Sequence, residues 1–323
     1  MVSSRNPVML YRVTFFFVLF LAGVFYWQCV GDNKKETAGG ASLSARCVGE
    51  RGPEKINEEF SDPEKVTIRG YSGHAMDPFI TRDGNYLFFN TYKEGGDTRL
   101  YYARKINDAT FTFIGEIQGA NGKASNFDAV PSMDSEGRFY FLSTRNYYRD
   151  YNNVYSGNFL EGRVYDLDAQ PGNFYRSTPG WIVTDAEVSS DGSLLYFANA
   201  KYTGGRVPDS ADIGIARMNY GTFNIDRKLS GILNNVNTGD SLEYAPSVSS
   251  DGLELYFARL DSCAGSSRLF LARRNSIVEP FGEPERIAVL DGQAESPSIS
   301  QDKKTLYYHT RDDDVYAIYK VSR

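Results

Sequence analysis

Apolar and polar positions follow one short pattern that recurs five times along the chain. The copies read DPFITRDGNYLFF from Asp77, VPSMDSEGRFYFL from Val130, DAEVSSDGSLLYF from Asp185, APSVSSDGLELYF from Ala245 and SPSISQDKKTLYY from Ser296. In each, an apolar stretch runs into a turn and a second stretch rich in Leu, Tyr and Phe follows. Four turns are Asp-Gly or Glu-Gly, where glycine supplies the positive φ of a tight hairpin; the fifth is Asp302-Lys303. The second stretches, such as 194–197 and 253–257, are almost wholly apolar, which suits strands covered on both faces. A third strand follows each hairpin (RLYYARK from Arg99, NVYSG from Asn153, DIGIARM from Asp212, RLFLARR from Arg268, VYAIYKV from Val315). A fourth follows a Phe, as in TFTFIGEIQ from Thr110, TFNIDRKL from Thr222 and PFGEPERI from Pro280.

The second position of the copies is Pro78, Pro131, Ala186, Pro246 and Pro297, giving spacings of 53, 55, 60 and 51 residues. That is one four-stranded antiparallel sheet per repeat, the blade of a β-propeller. The last repeat reaches only its third strand at Arg323, whereas EEFSDPEKV from Glu58 matches EPFGEPERI from Glu279 almost position for position. The expectation is an all-β, five-bladed propeller over residues 56–323. The segment after Glu58 supplies the last blade's outer strand, which removes an open edge.

Composition agrees with this reading. Tyr, Phe and Gly number 23, 21 and 30, a palette for strands and turns, and a net charge of −6 without a basic stripe speaks against nucleic acid. Arg5 and Arg12 precede an apolar run over 13–27, which reads as a secretory signal covering residues 1–28, so the chain is expected to be exported. Residues 29–55, with GDNKKETAGGAS, are too polar to fold and read as a flexible tether. Cys29, in FYWQC, resembles the lipid-attachment cysteine of bacterial lipoproteins, although Tyr26, Trp27 and Gln28 depart from that motif. An uncleaved signal anchor or later cleavage are the alternatives. With Cys29 lipidated, Cys47 and Cys263 remain as either a disulfide or two free thiols.

The consensus P-S-x-S-x-D-G-x-x-L-Y-F resembles the TolB-type, WD-like propeller repeat of bacterial envelope proteins, across roughly 56–323. TolB looks six-bladed; five units are counted here. The resemblance implies a binding module facing a protein or polysaccharide of the envelope, membrane-associated through its N-terminus and read as a monomer. HAMDPFITRDGNYLFFNT from His74 also resembles the first blade of five-bladed arabinanase-class glycoside hydrolases. That resemblance implies Asp77 as general base, Asp128 as orienting acid and Asp185 or Glu187 as proton donor. The Glu-Gly-Pro expected around that family's donor is absent.

Acidic residues recur just before the repeat's second position, where first strands line a propeller's channel: Asp77, Asp128, Asp185, Glu187, Glu243 and Glu295. They serve either as hydrogen-bond acceptors between blades or as catalytic acids. The two histidines, His74 and His309, have no metal-ligand spacing, and no nucleotide fingerprint occurs, so no metal and no cofactor is expected. Asp312, Asp313 and Asp314 read as a charged hairpin tip. Between Arg145 and Trp181 the pattern loosens into an aromatic-rich insert; Tyr147, Tyr148, Tyr151 and Trp181 are its candidate binding surface.

Overall fold

The computed structural model describes residues 54–323 apart from 93–96, 125, 206, 227, 262–265 and 291. Cys29, Cys47 and Cys263, together with the leader and most of the tether, lie outside the described residues. Three short strands come first: β1 (Lys55–Asn57), β2 (Glu64–Lys65) and β3 (Thr67–Arg69). Five blades follow. The first is β4 (Met76–Ile80), β5 (Tyr86–Asn90), β6 (Leu100–Asn107) and β7 (Thr110–Glu116). The second is β8 (Asp128–Met133), β9 (Arg138–Ser143), β10 (Val154–Leu160) and β11 (Arg163–Ala169), with the helical turn α1 (Tyr147–Asp150) between β9 and β10. The third comprises β12 (Trp181–Val188), β13 (Leu194–Lys201), β14 (Ser210–Asn219) and β15 (Thr222–Ile225). The fourth comprises β16 (Ser241–Val248), β17 (Glu254–Asp261), β18 (Ser266–Arg273) and β19 (Glu285–Ile287). The fifth has β20 (Glu295–Ile299), β21 (Thr305–Asp312) and β22 (Val315–Ser322), and takes β2 as its fourth strand. Inner strands β4, β8, β12, β16 and β20 touch in succession, and β20 returns to β4, so the ring is closed.

The apolar second strands are explained by period-two alternation between two covered faces. On β5, Leu87 and Phe89 pack toward the fifth blade while Phe88 packs toward the second. On β17, Leu255 and Phe257 face the third blade and Tyr256 the fifth. Each interface between blades thus holds its own apolar layer, and burying each large side chain contributes about 2 kcal/mol.

Closure follows the sequence expectation and adds to it. Glu64 and Lys65 pair antiparallel with Lys320 and Tyr319. Phe60 is buried against Tyr256, beneath the Arg323 guanidinium. Phe281, its counterpart in the fourth blade, lies beneath Arg274 in the same way, so the internal sequence match is also a structural one. Unforeseen were the parallel pairings of β1 with β19 and of β3 with β7, through which the N-terminal segment spans blades four, five and one. Lys303 takes φ 61° in the turn that lacks glycine, where Gly252 has φ 70° in the preceding blade.

Candidate functional site

The site is built at the inner strands. In four blades the inner pairing breaks across the repeat's second position and the preceding residue is left-handed, Asp77, Val130, Ala245 and Ser296 having φ between 48° and 53°; in the third blade the break comes earlier, between Val183 and Asp185. These bulges turn the residues around each Pro toward the axis, where they line a pocket with Asp77, Asp185 and Glu187 in its wall.

The residue after the second position joins neighbouring blades. Ser132, Ser247 and Ser298 accept the backbone N–H of Val188, Ile299 and Ile80 in the following blade, at 3.4, 3.2 and 3.0 Å. The third blade has Glu187 in that place, accepting from Val248 N–H at 2.9 Å. The serine of the repeat consensus is therefore a connector, and Glu187 substitutes for it. Its carboxylate also meets Arg82 Nη2 at 3.1 Å, and Arg82 bonds the Val188 carbonyl at 2.8 Å and covers the Phe79 ring. This buried pair bridges blades one and three at the end carrying the Asp-Gly hairpins. Burial pushes the Glu187 pKa up, against Arg82.

The six acids occupy different offsets and divide by what they touch. Asp128 and Glu243, three residues before the second position, do not line the axial pocket. Asp128 accepts from Arg145 Nη2 and from Gly122 N–H, at 2.8 and 2.7 Å. Glu243 is held by Arg259 Nε and the Thr238 hydroxyl, each at 2.8 Å, while burial pushes its pKa up to about 6.

Asp77 and Asp185, one residue before, face the pocket. Asp77 Oδ1 accepts from Ser296 Oγ at 2.6 Å, but Asp77 Oδ2 and Asp185 Oδ2, both buried, have no hydrogen-bond partner among the described residues. Burial, and then the Asp77 charge, push the Asp185 carboxyl up to about 7.

Glu295 pairs across the strands with His309 and sits 2.6 Å from the Tyr244 hydroxyl. His309 Nδ1 accepts the Asp77 N–H at 3.1 Å, so the neutral ring carries its proton on Nε2, which lies 3.6 Å from Glu295. Burial opposes charge on His309, yet Glu295, Asp77 and Asp185 outweigh it and hold its pKa above the ordinary histidine value. His74 Nδ1 likewise accepts the Tyr316 N–H at 3.1 Å. Both histidines of the chain thus bind the seam between the fifth and first blades. Sequence reasoning set His309 aside for lack of a motif; the available signal was a His twelve residues after Pro297, where the other repeats have Asn90, Ser143, Ala198 and Ala258.

The aromatic insert divides as well. Tyr147 is buried, its hydroxyl donating to the Trp181 carbonyl at 2.5 Å, and Tyr151 packs on its ring. Tyr148 is 46% exposed, while Trp181 is half-buried beneath Arg176, whose guanidinium lies 3.9 Å from its ring centre. Asp312, Asp313 and Asp314 lie at the β21–β22 tip, with Asp312 paired to Lys65 at 2.5 Å. Among the described residues no His, Cys, Asp and Glu cluster has metal-binding geometry, and no helix is long and apolar enough to cross a membrane.

No protein-family model and no curated protein matches the chain. Solved structures do. The catalytic domain of the Coprinopsis cinerea GH62 α-L-arabinofuranosidase aligns with TM-score 0.54 at 13% identity, over 84% of this chain and 98% of that one. The endo-arabinase from Bacteroides thetaiotaomicron gives TM-score 0.45 at 14% identity, over 80% and 98%. TolB from Acinetobacter baumannii gives 0.44 at 16% identity over 78% of this chain, which spans only 55% of that structure. At such identities the likeness is one of fold: the chain is a five-bladed β-propeller.

Proposed function

We propose that this chain is a non-enzymatic binding propeller, held at the bacterial cell envelope by its N-terminal segment and receiving a protein or polysaccharide ligand at the axial pocket. The carrying observation is the commitment of two of the acids assigned to a glycosidase, Asp128 and Glu187. Asp128 is engaged by Arg145 and Gly122, and Glu187 by Arg82, Ser247 and Val248, so neither is left to orient or protonate a sugar. The apolar run over 13–27 and Cys29 after it support export and tethering. Metabolic labelling with a palmitate analogue, lost in Cys29→Ala, tests the anchor.

One observation favours a second reading. Asp185, holding a proton near neutral pH beside Asp77, offers the acid-and-base division that glycoside hydrolysis uses. The fold shared with the arabinofuranosidase is compatible with either reading. Incubating the purified chain with arabinan and arabinoxylan separates them. No release of sugar is expected; release that disappears in Asp77→Asn would replace the binding reading with the hydrolytic one.

A further inference from the structure

The axial pocket joins two kinds of wall. Around the axis stand Pro78, Pro131, Ala186, Pro246 and Pro297, a collar of short apolar groups lining the same pocket as Asp77 and Asp185. Both carboxylates are 3% exposed, and each keeps an Oδ2 with no partner among the described residues. Two buried carboxyl groups that each keep an oxygen without a donor cannot both carry charge cheaply, so a cationic donor entering the pocket would take the place of the proton that Asp185 holds near neutral pH. The nearby Arg82 does not supply it, being bound to Glu187 and the Val188 carbonyl.

The collar decides which cation. Calcium takes 6–8 oxygen ligands and magnesium a near-ideal octahedron, and among the described residues no cluster of His, Cys, Asp and Glu is placed to hold either. An alkylammonium fits both parts: its three N–H donors suit carboxylate oxygens, and its methylene stem suits the apolar collar. Arg82 spans from blade one to Glu187 and the Val188 carbonyl in blade three at the hairpin end, so the stem would enter from the opposite face.

Resting on the binding reading above, we infer that the axial pocket is a recognition site for a primary ammonium on a slender alkyl stem, the chemistry of a lysine side chain presented by a protein partner. Asp77 and Asp185 receive the ammonium, and the proline collar excludes branched or ring-bearing side chains.

Calorimetric titration of the full chain with acetyl-Ala-Lys-Ala-amide, the same peptide with norleucine, and calcium chloride tests this. The lysine peptide should bind at least about tenfold more tightly than the norleucine peptide, as expected for hydrogen bonds to charged groups. Asp77→Asn with Asp185→Asn should abolish that preference, while Asp251→Asn, at an exposed hairpin turn, should retain it; circular dichroism verifies folding of each. Equal binding of both peptides, binding of neither, or displacement of the lysine peptide by calcium would overturn the inference. Sugar release in the parallel arabinan assay bears instead on the binding reading, so the two failures are distinguishable.

Discussion

Acids two positions apart in the repeat pattern lead different lives. Asp128 and Glu243 sit three positions before the repeat's key residue and are spent on Arg145 and Arg259; Asp77 and Asp185 sit one position before it and look into the axial pocket with an oxygen apiece unbonded. Glu187, one position after, is tied to Arg82. Recurrence of acidic residues is therefore no measure of shared function; the offset relative to the bulge decides which side chain is structural and which is available.

The largest effect should come from breaking the buried pair. Arg82→Ala leaves the buried Glu187 charge with only the Ser247 hydroxyl and the Val248 N–H and also removes the bond to the Val188 carbonyl, and urea denaturation should show a loss of about 3–5 kcal/mol. Arg259→Ala should cost less, about 2–3 kcal/mol, because Arg259 lies nearer solvent than Arg82 and Thr238 still donates to Glu243 twice. On the axial side, Ser296→Ala removes the donor to Asp77 Oδ1 and should cost about 1 kcal/mol.

Asp185→Asn should cost nothing at pH 5 and stabilise by about 1 kcal/mol at pH 8. The sign comes from proton uptake. The folded-state pKa of about 7 lies above that of an ordinary carboxyl, so the folded chain keeps a proton that the unfolded chain releases. Stability is full below about pH 4 and falls as pH rises through 7. His309, whose pKa is raised by Glu295, Asp77 and in part Asp185, gives a loss of the same sign that is somewhat smaller in the variant. Thermal melts across pH 5–8 measure the difference. A variant no more stable than wild type at pH 8 would contradict the raised Asp185 pKa.

The fold was largely legible in the sequence. Hairpin turns at Gly84, Gly137, Gly192 and Gly252, and apolar strands between them, need only local physics, and the closing segment showed itself through its likeness to the outer strand of the fourth blade. The parallel strands β1 and β3 were not legible, since three-residue segments such as KIN and TIR take their conformation from the sheet edge they meet. The site was half legible. Its acids were visible as a set, but their division depends on bulges that reverse a side chain's direction, and on Arg82 and His309, whose partners lie 105 and 232 residues away.

The most direct measurement compares matched carboxamide substitutions by urea denaturation at pH 8. Asp77→Asn with Asp185→Asn should leave the midpoint unchanged or raised, whereas Glu187→Gln and Glu243→Gln should each lower it, by leaving Arg82 or Arg259 without its counter-charge. Equal losses in both sets, or a loss confined to the axial pair, would contradict the division of the acids on which the binding pocket rests.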